Sequence, residues 1–329
     1  MNRIRKHLRN TKLFFLFLGI LLILAAAGGI CCGPAGLPES ISLSDPLFRL
    51  RLTRVCAAFV IGGSLSLAGA VYQAVLRNVL AEPFILGVSS GAGVGAALAF
   101  AFGLHQMSLN MVPFAAFTGA AAALILVMVI AYGKGAETLI LGGVIAGTIA
   151  SSILSVIVTT AGVDELCSLT WWLMGDLQSV DPRLLTWVSL ADCAAVLVVF
   201  LYATDANLLS LGEDYAWNAG IRTARSSAVL LTAASLMAAQ TVALAGIISF
   251  VGLIVPHIIR RIYRADNRYL FPASLIGGGI FLIFCDILSR ILLPHRELPV
   301  GLISALIGGG LFLYIISKRR EVFYDDSAS

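Results

Sequence analysis

The chain consists mainly of long apolar segments that are separated by short polar turns. A helix needs about 20 mostly apolar residues to cross the hydrocarbon core of a bilayer, and by that rule we count about ten such segments. Charged residues make up only 12% of the 329 positions, whereas a soluble domain carries roughly 25%. The sequence therefore predicts an all-α polytopic membrane protein. The segments are residues 13–32, 55–75, 84–103, 111–132, 139–160, 183–204, 226–246, 247–263, 271–293 and 298–317.

The distribution of Lys and Arg predicts how the chain is oriented in the membrane. Loops that are rich in these residues favour the cytoplasmic face, so we expect both termini there, with a cytoplasmic arm at 1–12 and a tail at 318–329. The net charge of +4 is too small to indicate a nucleic-acid partner. The other basic positions that we assign to this face are Arg77, Lys134, Arg222, Arg225, residues 260–268 and residues 318–320.

Three arginines break this pattern on the predicted outer face. Arg49, Arg51 and Arg54 stand just before the second apolar segment, where Lys and Arg are otherwise scarce. Two interpretations are open. The side chains could extend to the headgroups of membrane lipid, or they could form a docking patch for an acidic partner outside the membrane.

Few ionisable residues lie within the predicted spans. Asp286 and Arg290 are four positions apart on one helix face, so they can neutralise each other as a structural pair. Asp192 stands alone in the sixth segment. An ion-coupled carrier normally places several ion ligands at the membrane midplane, so their scarcity indicates that energy comes from elsewhere. An ion-coupled secondary transporter of a small solute stays open as the alternative.

The sequence contains no convincing catalytic set. A Walker A loop, an HExxH motif and a nucleophile elbow are all missing. We therefore expect no catalytic residue, no metal site and no cofactor in this chain. An enzyme or a purely structural subunit has no supporting group of residues.

A polar loop at 205–225 is the candidate entry point for energy. Ser210 or Gly212 could cap a short helix that begins with acidic residues at Glu213, and Gly220 could close it. A short capped helix of this kind suits docking into a groove of another protein. The alternative is a surface helix that merely connects two spans.

The run 250–261 crosses from hydrocarbon to water at a defined point. Pro256 breaks the helical pattern there, and His257 and Arg260 follow it. No second ligand accompanies His257, so we favour a structural or gating role over metal binding.

Glycine is frequent in several predicted spans. Glycine allows the backbones of neighbouring membrane helices to approach closely, and beside a cytoplasmic turn it could instead permit bending at a gate. The sequence does not separate these alternatives. The positions are Gly62, Gly63, Gly69, Gly87, Gly91, Gly93, Gly95, Gly142, Gly143, Gly147 and residues 308–310.

Taken in order, these motifs resemble those of the FecCD-type ABC permeases, which import ferric siderophores, haem and vitamin B12. The resemblance covers nearly the whole chain, and several ordered motifs are far more specific than any one of them. The matching segments are Arg51 with Arg54, residues 69–73, 78–92, 172–175, 212–225 and 250–261, and the last outer loop at 297–301.

The resemblance implies a vitamin B12 importer-type permease fold, with residues 1–329 as a single transmembrane domain. Two copies would surround a central path in the cell membrane. Two ABC ATPase subunits would bind ATP on the inner side, and an extracytoplasmic substrate-binding protein would dock outside. The expected cargo is a metal chelate. A ferric siderophore is our first choice, with haem and cobalamin as alternatives.

The resemblance also implies roles for individual residues. Docking of the binding protein falls to Arg51, Arg54 and Arg296, and coupling to the ATPase falls to Gly212, Glu213, Ala216, Gly220 and Arg222. The inner gate would be formed by the turns 78–83 and 133–138, with Asn78, Leu80, Glu82, Pro83 and Thr138. The structural signature comprises Gln73, Pro256, His257, Arg260, Asp286 and Arg290.

Overall fold

A computed structural model describes residues 11–33, 42, 44–108, 110–131, 134–293 and 296–325. Most of the predicted arm, residue 133 of the second inner turn and the last four residues of the tail lie outside this part of the chain. The described residues form α-helices and one 3-10 turn, and they contain no strand, which confirms the predicted all-α class. The helices are α1 (Thr11–Cys31), α2 (Pro46–Val75), α3 (Val88–Ala101), α4 (Leu104–Met107), α5 (Met111–Ala131), α6 (Ala136–Thr160), α7 (Val163–Leu173), α8 (Pro182–Leu201), α9 (Ala203–Leu211), α10 (Glu213–Asn218), α11 (Thr223–Ala245), α12 (Val251–Ile262), α13 (Asn267–Ile291) and α14 (Val300–Asp325), and the 3-10 turn is Pro83–Leu86.

Each of the predicted apolar segments contains a helix, but the helices differ in length. Seven of the described helices are long and apolar enough to cross a membrane: α1, α2, α5, α6, α8, α11 and α13. The helix in the predicted eighth span, 247–263, is shorter than expected. At 1.5 Å per residue, α12 is only about 18 Å long, against a hydrocarbon core of about 30 Å. The backbone is left-handed at Gly246 (φ 70°) and again at Phe250 (φ 70°), so helix cannot form between them.

The second span begins earlier than its apolar pattern predicts. Asp45 caps α2 by accepting a hydrogen bond from the backbone N–H of Leu47 (2.8 Å), and Pro46 occupies the first helical position. The helix therefore includes Arg51 and Arg54, which sequence analysis placed just before it. Because these arginines are three positions apart, they lie on one face of α2.

Helix α2 forms the centre of the molecule. Over its most apolar window 83% of the residues are buried, compared with 17% for α1 and for α6. It packs against α11, α12 and α13. Small residues make this possible, because membrane helices associate through close packing rather than through the hydrophobic effect.

Two glycine crossings confirm that helix backbones approach closely. A Cβ added to Gly62 would collide with the carbonyl of Gly278 in α13, and one added to Gly91 would meet the carbonyl of Gly119 in α5 at 2.5 Å. At the opposite extreme, a Cβ on Gly310 would meet nothing within 4 Å. Close packing therefore explains part of the glycine pattern and not all of it.

Candidate functional site

An ion network links α2 and α13 at their predicted outer ends. Arg54 is buried, and its guanidinium contacts Asp286 (Nη2 to Oδ1, 2.9 Å) and Glu297 (Nη1 to Oε2, 2.6 Å). The other carboxylate oxygen of Asp286 lies 2.8 Å from Nη2 of Arg290. The expected contact between Asp286 and Arg290 is thus present, with Arg54 as a third member. A fully buried carboxylate is costly unless it is paired, and here two cations surround it.

Two arginines also reach the end of α1. Arg51 donates to the carbonyl oxygens of Ile30 (2.9 Å) and Cys31 (3.2 Å), and Arg290 donates to that of Cys32 (2.9 Å). The last carbonyls of a helix have no partner within it, and they carry the negative end of its dipole. Cations from α2 and α13 supply both the donors and the opposite charge, so they hold α1 against the rest of the molecule.

Two of the three predicted docking arginines, Arg51 and Arg54, are therefore not free surface groups. Arg51 is 3% exposed and Arg54 is 5% exposed, while Arg49 and Arg296 are exposed. The interpretation that the side chains extend to lipid headgroups is wrong for Arg51 and Arg54, because both point at protein groups. Docking through these two residues stays a prediction, and it now requires Arg54 to leave its internal partners.

Sequence analysis missed Asp176 as a neighbour of this network. Its carboxylate is half-buried and lies within the electrostatic range of Arg54. Burial raises the pKa of Asp176, and the charge of Arg54 opposes that rise. The backbone N–H of Asp176 donates to the carbonyl of Ala245 (2.9 Å), and the N–H of Gly301 donates to that of Gly175 (3.0 Å). Three outer connections of the chain are thereby joined beside the ion network.

Gln73 and Pro256 of the structural signature act on the same carbonyl group. Proline has no N–H, so the carbonyl of Gly252, four residues before Pro256, has no helical donor. The side-chain amide of Gln73 takes this place and donates to Gly252 O (3.3 Å) and Leu253 O (3.2 Å). Arg260 in turn donates to the amide oxygen of Gln73 (3.1 Å). The signature residues thus fasten α12 to α2.

The predicted inner turn follows directly below this contact. Arg77 has a left-handed backbone (φ 52°), and the side chain of Asn78 accepts a hydrogen bond from the N–H of Leu80 (2.9 Å). This tight turn reverses the chain after α2 and leaves Leu80 exposed. Burial raises the pKa of Glu82, the last residue before the 3-10 turn.

The inner turn and the 3-10 turn that continues it pack between two other helices. Pro83 is buried, and a Cβ on Gly252 of α12 would lie 2.6 Å from Cδ of Pro83. On the other side, a Cβ on Gly143 of α6 would collide with the carbonyl of Ile85. The second predicted turn leads into the same helix, because Thr138 lies in the first turn of α6. The structure therefore connects both predicted gate turns through α6.

The polar loop forms the short helix α10. Gly212 precedes it with φ 127°, and Gly220 follows it with φ 90°. Of the two predicted caps, Ser210 and Gly212, the structure therefore has Gly212. Ser210 is not the cap, because it lies in α9 and its hydroxyl donates to the carbonyl of Asn207 (2.7 Å). Ala216 lies within α10 and is fully buried. Arg222, the last of the predicted coupling residues, is exposed at the start of α11.

One ion pair connects this helix with the inner turn. Nη2 of Arg77 lies 3.9 Å from Oε1 of Glu213, and both side chains are about half exposed. Sequence analysis assigned Glu213 to coupling but did not pair it with Arg77, which lies 136 positions earlier in the chain. A displacement of α10 can therefore act on the turn that ends α2 through this pair.

A stripe of hydroxyl groups runs along α6 and was missed by sequence analysis. Several of these hydroxyls donate to carbonyls of their own helix; Ser155, for example, donates to Ser151 O (2.9 Å). This arrangement makes a mildly polar surface without fixed charge. The stripe lies on a face that the rest of the described chain leaves exposed, and its members are Thr148, Ser151, Ser152, Ser155 and Thr159.

The described residues contain no group of three or more His, Cys, Asp or Glu that could hold a metal ion. His257 is partly buried in α12, one residue after Pro256.

Comparisons with known proteins agree with one another. The model of a family described as the FecCD transport family matches residues 13–318. The vitamin B12 import system permease protein BtuC of Shigella boydii is 34% identical, over 96% of this chain and 98% of that protein. YvrB of Bacillus subtilis, described as an uncharacterized ABC transporter permease, is 33% identical over 96% and 97% of the two chains.

Solved structures show the same architecture. An ABC transporter described as of the metal-chelate type and inward-facing superposes with a TM-score of 0.85 at 29% identity, over 94% of this chain and all of that one. PsaBC from Streptococcus pneumoniae gives a TM-score of 0.56 at 18% identity, over 81% and 91%, which indicates a shared fold alone.

Proposed function

This chain belongs to the FecCD transport family of ABC permeases, and we propose that it is the membrane-spanning subunit of an importer for metal chelates. It is a multi-pass membrane protein. It does no chemistry on its cargo, and the ATP that drives it is bound by ABC ATPase subunits, which are separate chains. A substrate-binding protein delivers the cargo from outside.

The hydroxyl stripe of α6 is the observation that carries this proposal. This polar face should not meet lipid, and its own chain leaves it exposed, so we place a second copy opposite it. Two copies with facing stripes line a central path. Hydroxyl groups that are already bonded to their own helix offer a bulky polar cargo a wet surface without binding it tightly. Such a path suits a carrier that must release what it moves.

The cargo is a metal chelate, and a ferric siderophore is our first choice. The relatives support the class: one is named for vitamin B12 and a solved structure is described as of the metal-chelate type. The uncharged lining argues against a bare metal ion, which would need carboxylate, imidazole or thiolate ligands. Haem and cobalamin fit the same lining, so selection among the chelates falls to the binding protein.

The energy enters at α10 and reaches the inner turn through Glu213 and Arg77. ATPase movement displaces the short helix, and the ion pair passes the displacement to residues 78–83. That turn is packed between α6 and α12, so it opens or closes the inner end of the path as these helices separate or meet. Gly212 and Gly220 hold α10 in place through backbone conformations that favour glycine.

The outer face receives the binding protein in two steps. Arg49 and Arg296 are exposed and meet acidic groups first. Arg54 then exchanges Glu297 for a carboxylate of the partner, because Glu297 is the more exposed of its two acidic neighbours. Arg51 keeps α1 in position during this exchange.

Complementation in cells tests the proposal. Bacteria that lack their own chelate importers are supplied with this chain, an ATPase subunit and a binding protein from the same genome. We expect uptake of a radiolabelled ferric siderophore that depends on all three components. Uptake of haem or cobalamin instead would keep the function and change the cargo, whereas uptake that needs this chain alone would support an ion-coupled carrier.

A further inference from the structure

An apolar groove lies between α5 and α11 and is lined by none of the residues described above. Its volume is about 440 Å³, and its walls are Leu124, Ile125, Met128 and Val129 of α5 with Thr232 of α11. Grooves of roughly 300–1,000 Å³ are the usual size for small ligands. Ile125 and Val129 are more than half exposed, so the groove opens toward the surroundings of the helix bundle.

The groove lies within one leaflet of the bilayer. Helix α5 ends at Ala131 and α11 begins at Thr223, so both helices meet the same face of the membrane. At 1.5 Å per residue, Leu124 lies about 11 Å from the end of α5 and Thr232 about 14 Å from the start of α11. Half of the hydrocarbon core is about 15 Å thick, which places these residues among lipid tails.

A cation stands above the groove on the same helix face. Arg225 and Thr232 are seven positions apart, which places them on one side of α11 about two turns from each other. Ala228 lies between them and is exposed as well. The exposed face of α11 therefore begins with a guanidinium at the membrane edge and continues through Ala228 to Thr232 at the groove.

Further positive charge lies at the same membrane edge. Lys134 follows the end of α5, and Arg222 precedes α11 by one residue. Across the described part of the chain, neither of these side chains nor that of Arg225 has an ion pair or a hydrogen bond. Exposed acids lie on the same face: Glu137 on α6, and Glu213 and Asp214 on α10. Asp205 accepts a hydrogen bond from the hydroxyl of Ser226. It is the position of Arg225 on α11, and not the net charge of this face, that links a cation to the groove.

We propose that this groove binds one anionic phospholipid. Its phosphate lies against Arg225, with Lys134 and Arg222 adding to the local field, and an acyl chain fills the space beside Leu124 and Met128. A free phosphate ion would use the cations and leave the apolar groove empty. A neutral lipid would use the groove and leave the cations unpaired. An anionic phospholipid uses both.

Lipid retention by the purified complex tests this site. The full-length chain is expressed with its partner subunits, purified in mild detergent and equilibrated with equal amounts of phosphatidylglycerol and phosphatidylcholine that carry the same acyl chains. Lipid that stays bound is measured by native mass spectrometry. We expect phosphatidylglycerol to be retained about fivefold over phosphatidylcholine, since one basic residue near an anionic surface contributes about that factor.

Two variants separate the parts of the site. Arg225→Gln removes the charge and should abolish the preference for phosphatidylglycerol. Thr232→Phe fills the groove and should lower retention of both lipids. Arg183→Gln is the matched control, because Arg183 is also exposed but lies at the start of α8, at the opposite membrane face. It should retain lipid like the original chain.

Two conservative variants show whether a loss of lipid comes from misfolding. Arg225→Lys keeps the charge and Thr232→Val keeps the shape, so both should preserve the preference. Unchanged retention in Arg225→Gln and Thr232→Phe would overturn the proposal, as would equal retention of the two lipids by the original chain. Complete displacement of phosphatidylglycerol by millimolar inorganic phosphate would show that the cations alone account for binding and that the apolar groove adds nothing, which also contradicts it.

Discussion

At the scale of single residues, the structure explains why a glutamine and a proline occur together in this chain. Pro256 leaves the carbonyl of Gly252 without its helical donor, and Gln73 supplies one from another helix. Inside a membrane, water is not available to make up the loss. Pro256 therefore removes a hydrogen-bond donor from the helix, and Gln73 replaces it.

A double-mutant cycle tests this relation. Gln73→Leu removes the amide and should lower the free energy of unfolding by about 1–3 kcal/mol, the usual cost of a buried polar group that is left without a partner. Pro256→Ala restores a backbone N–H, so Gln73→Leu should cost clearly less in that background. Thermal unfolding of the detergent-purified chain measures both. Equal penalties in the two backgrounds would contradict the relation.

The two carboxylates that contact Arg54 should respond differently to neutralisation. Asp286 is fully buried between two arginines, and removing one partner of a buried ion pair costs about 3–5 kcal/mol. Glu297 is partly exposed, so Glu297→Gln should cost about 1 kcal/mol or less. We expect Asp286→Asn to lower the melting temperature and the yield of folded protein, while Glu297→Gln leaves both nearly unchanged. Similar losses in the two variants would contradict this account of the network.

Glu297→Gln also tests the proposed exchange at Arg54. A neutral partner holds the guanidinium less strongly than a charged one, by about 1 kcal/mol. The affinity of the binding protein should therefore rise by up to about fivefold. Surface plasmon resonance with immobilised permease measures it. An unchanged or weaker affinity would show that Arg54 stays internal during docking.

The sequence predicts part of this network and not the rest. Asp286 and Arg290 could be paired because a helix places residues four apart on one side. Arg54 and Glu297 could not be joined, since they are 243 positions apart and only the fold brings them together. The carbonyl groups at the end of α1 gave no signal either, because every residue has one.

At the scale of elements, α10 and the inner turn are joined by one exposed ion pair. Such pairs contribute about 0–1 kcal/mol to stability, so the contact between Arg77 and Glu213 is too weak to be needed for folding. The position of this ion pair is more informative than its strength, because the pair joins α10, where we propose that the ATPase acts, to the turn that ends α2.

Neutralising Glu213 should therefore uncouple the transporter without unfolding it. We expect Glu213→Gln to lower the cargo moved per ATP hydrolysed several-fold, while the melting temperature stays within about 1–2 °C, because surface substitutions usually change stability by less than about 0.5 kcal/mol. Asp214→Asn is the control, since Asp214 is the adjacent exposed acid of α10 and has no ion pair among the described residues. Equal coupling in both variants would contradict a relay through Glu213.

Element boundaries were harder to predict than the elements themselves. Hydropathy located every apolar segment, but it did not show that α12 is only 12 residues long. The break depends on Phe250 adopting a left-handed backbone, which is uncommon for a bulky residue. Apolar side chains continue through that break, so the hydropathy pattern alone predicts one long helix there.

At the scale of the whole molecule, α6 points to an assembly larger than one chain. It is long enough to span the membrane, yet only 17% of its most apolar window is buried. Its exposed surface divides into a hydroxyl side and an apolar side. In our proposal the hydroxyl side faces the second copy across the central path, and lipid covers the apolar side.

Bulky substitutions on the two sides of α6 test this division. Ser155→Phe narrows the proposed path and should reduce cargo uptake at least about tenfold, which corresponds to roughly 1.4 kcal/mol of added barrier. Ile153→Phe is the matched control, because two positions along a helix turn a side chain to nearly the opposite side. Uptake should be close to normal in that control, and ATPase subunits should assemble with both variants. Equal effects would mean that the stripe does not line the path.

The most direct test of the account is the source of energy for uptake. The chain is reconstituted in proteoliposomes with its ATPase subunit, the binding protein is added outside, and accumulation of a radiolabelled ferric chelate is followed. We predict accumulation that requires ATP inside, is lost with an ATPase whose Walker motif has been inactivated, and continues when a protonophore removes the proton gradient. Accumulation that continues without ATP hydrolysis and collapses with the proton gradient would contradict the account.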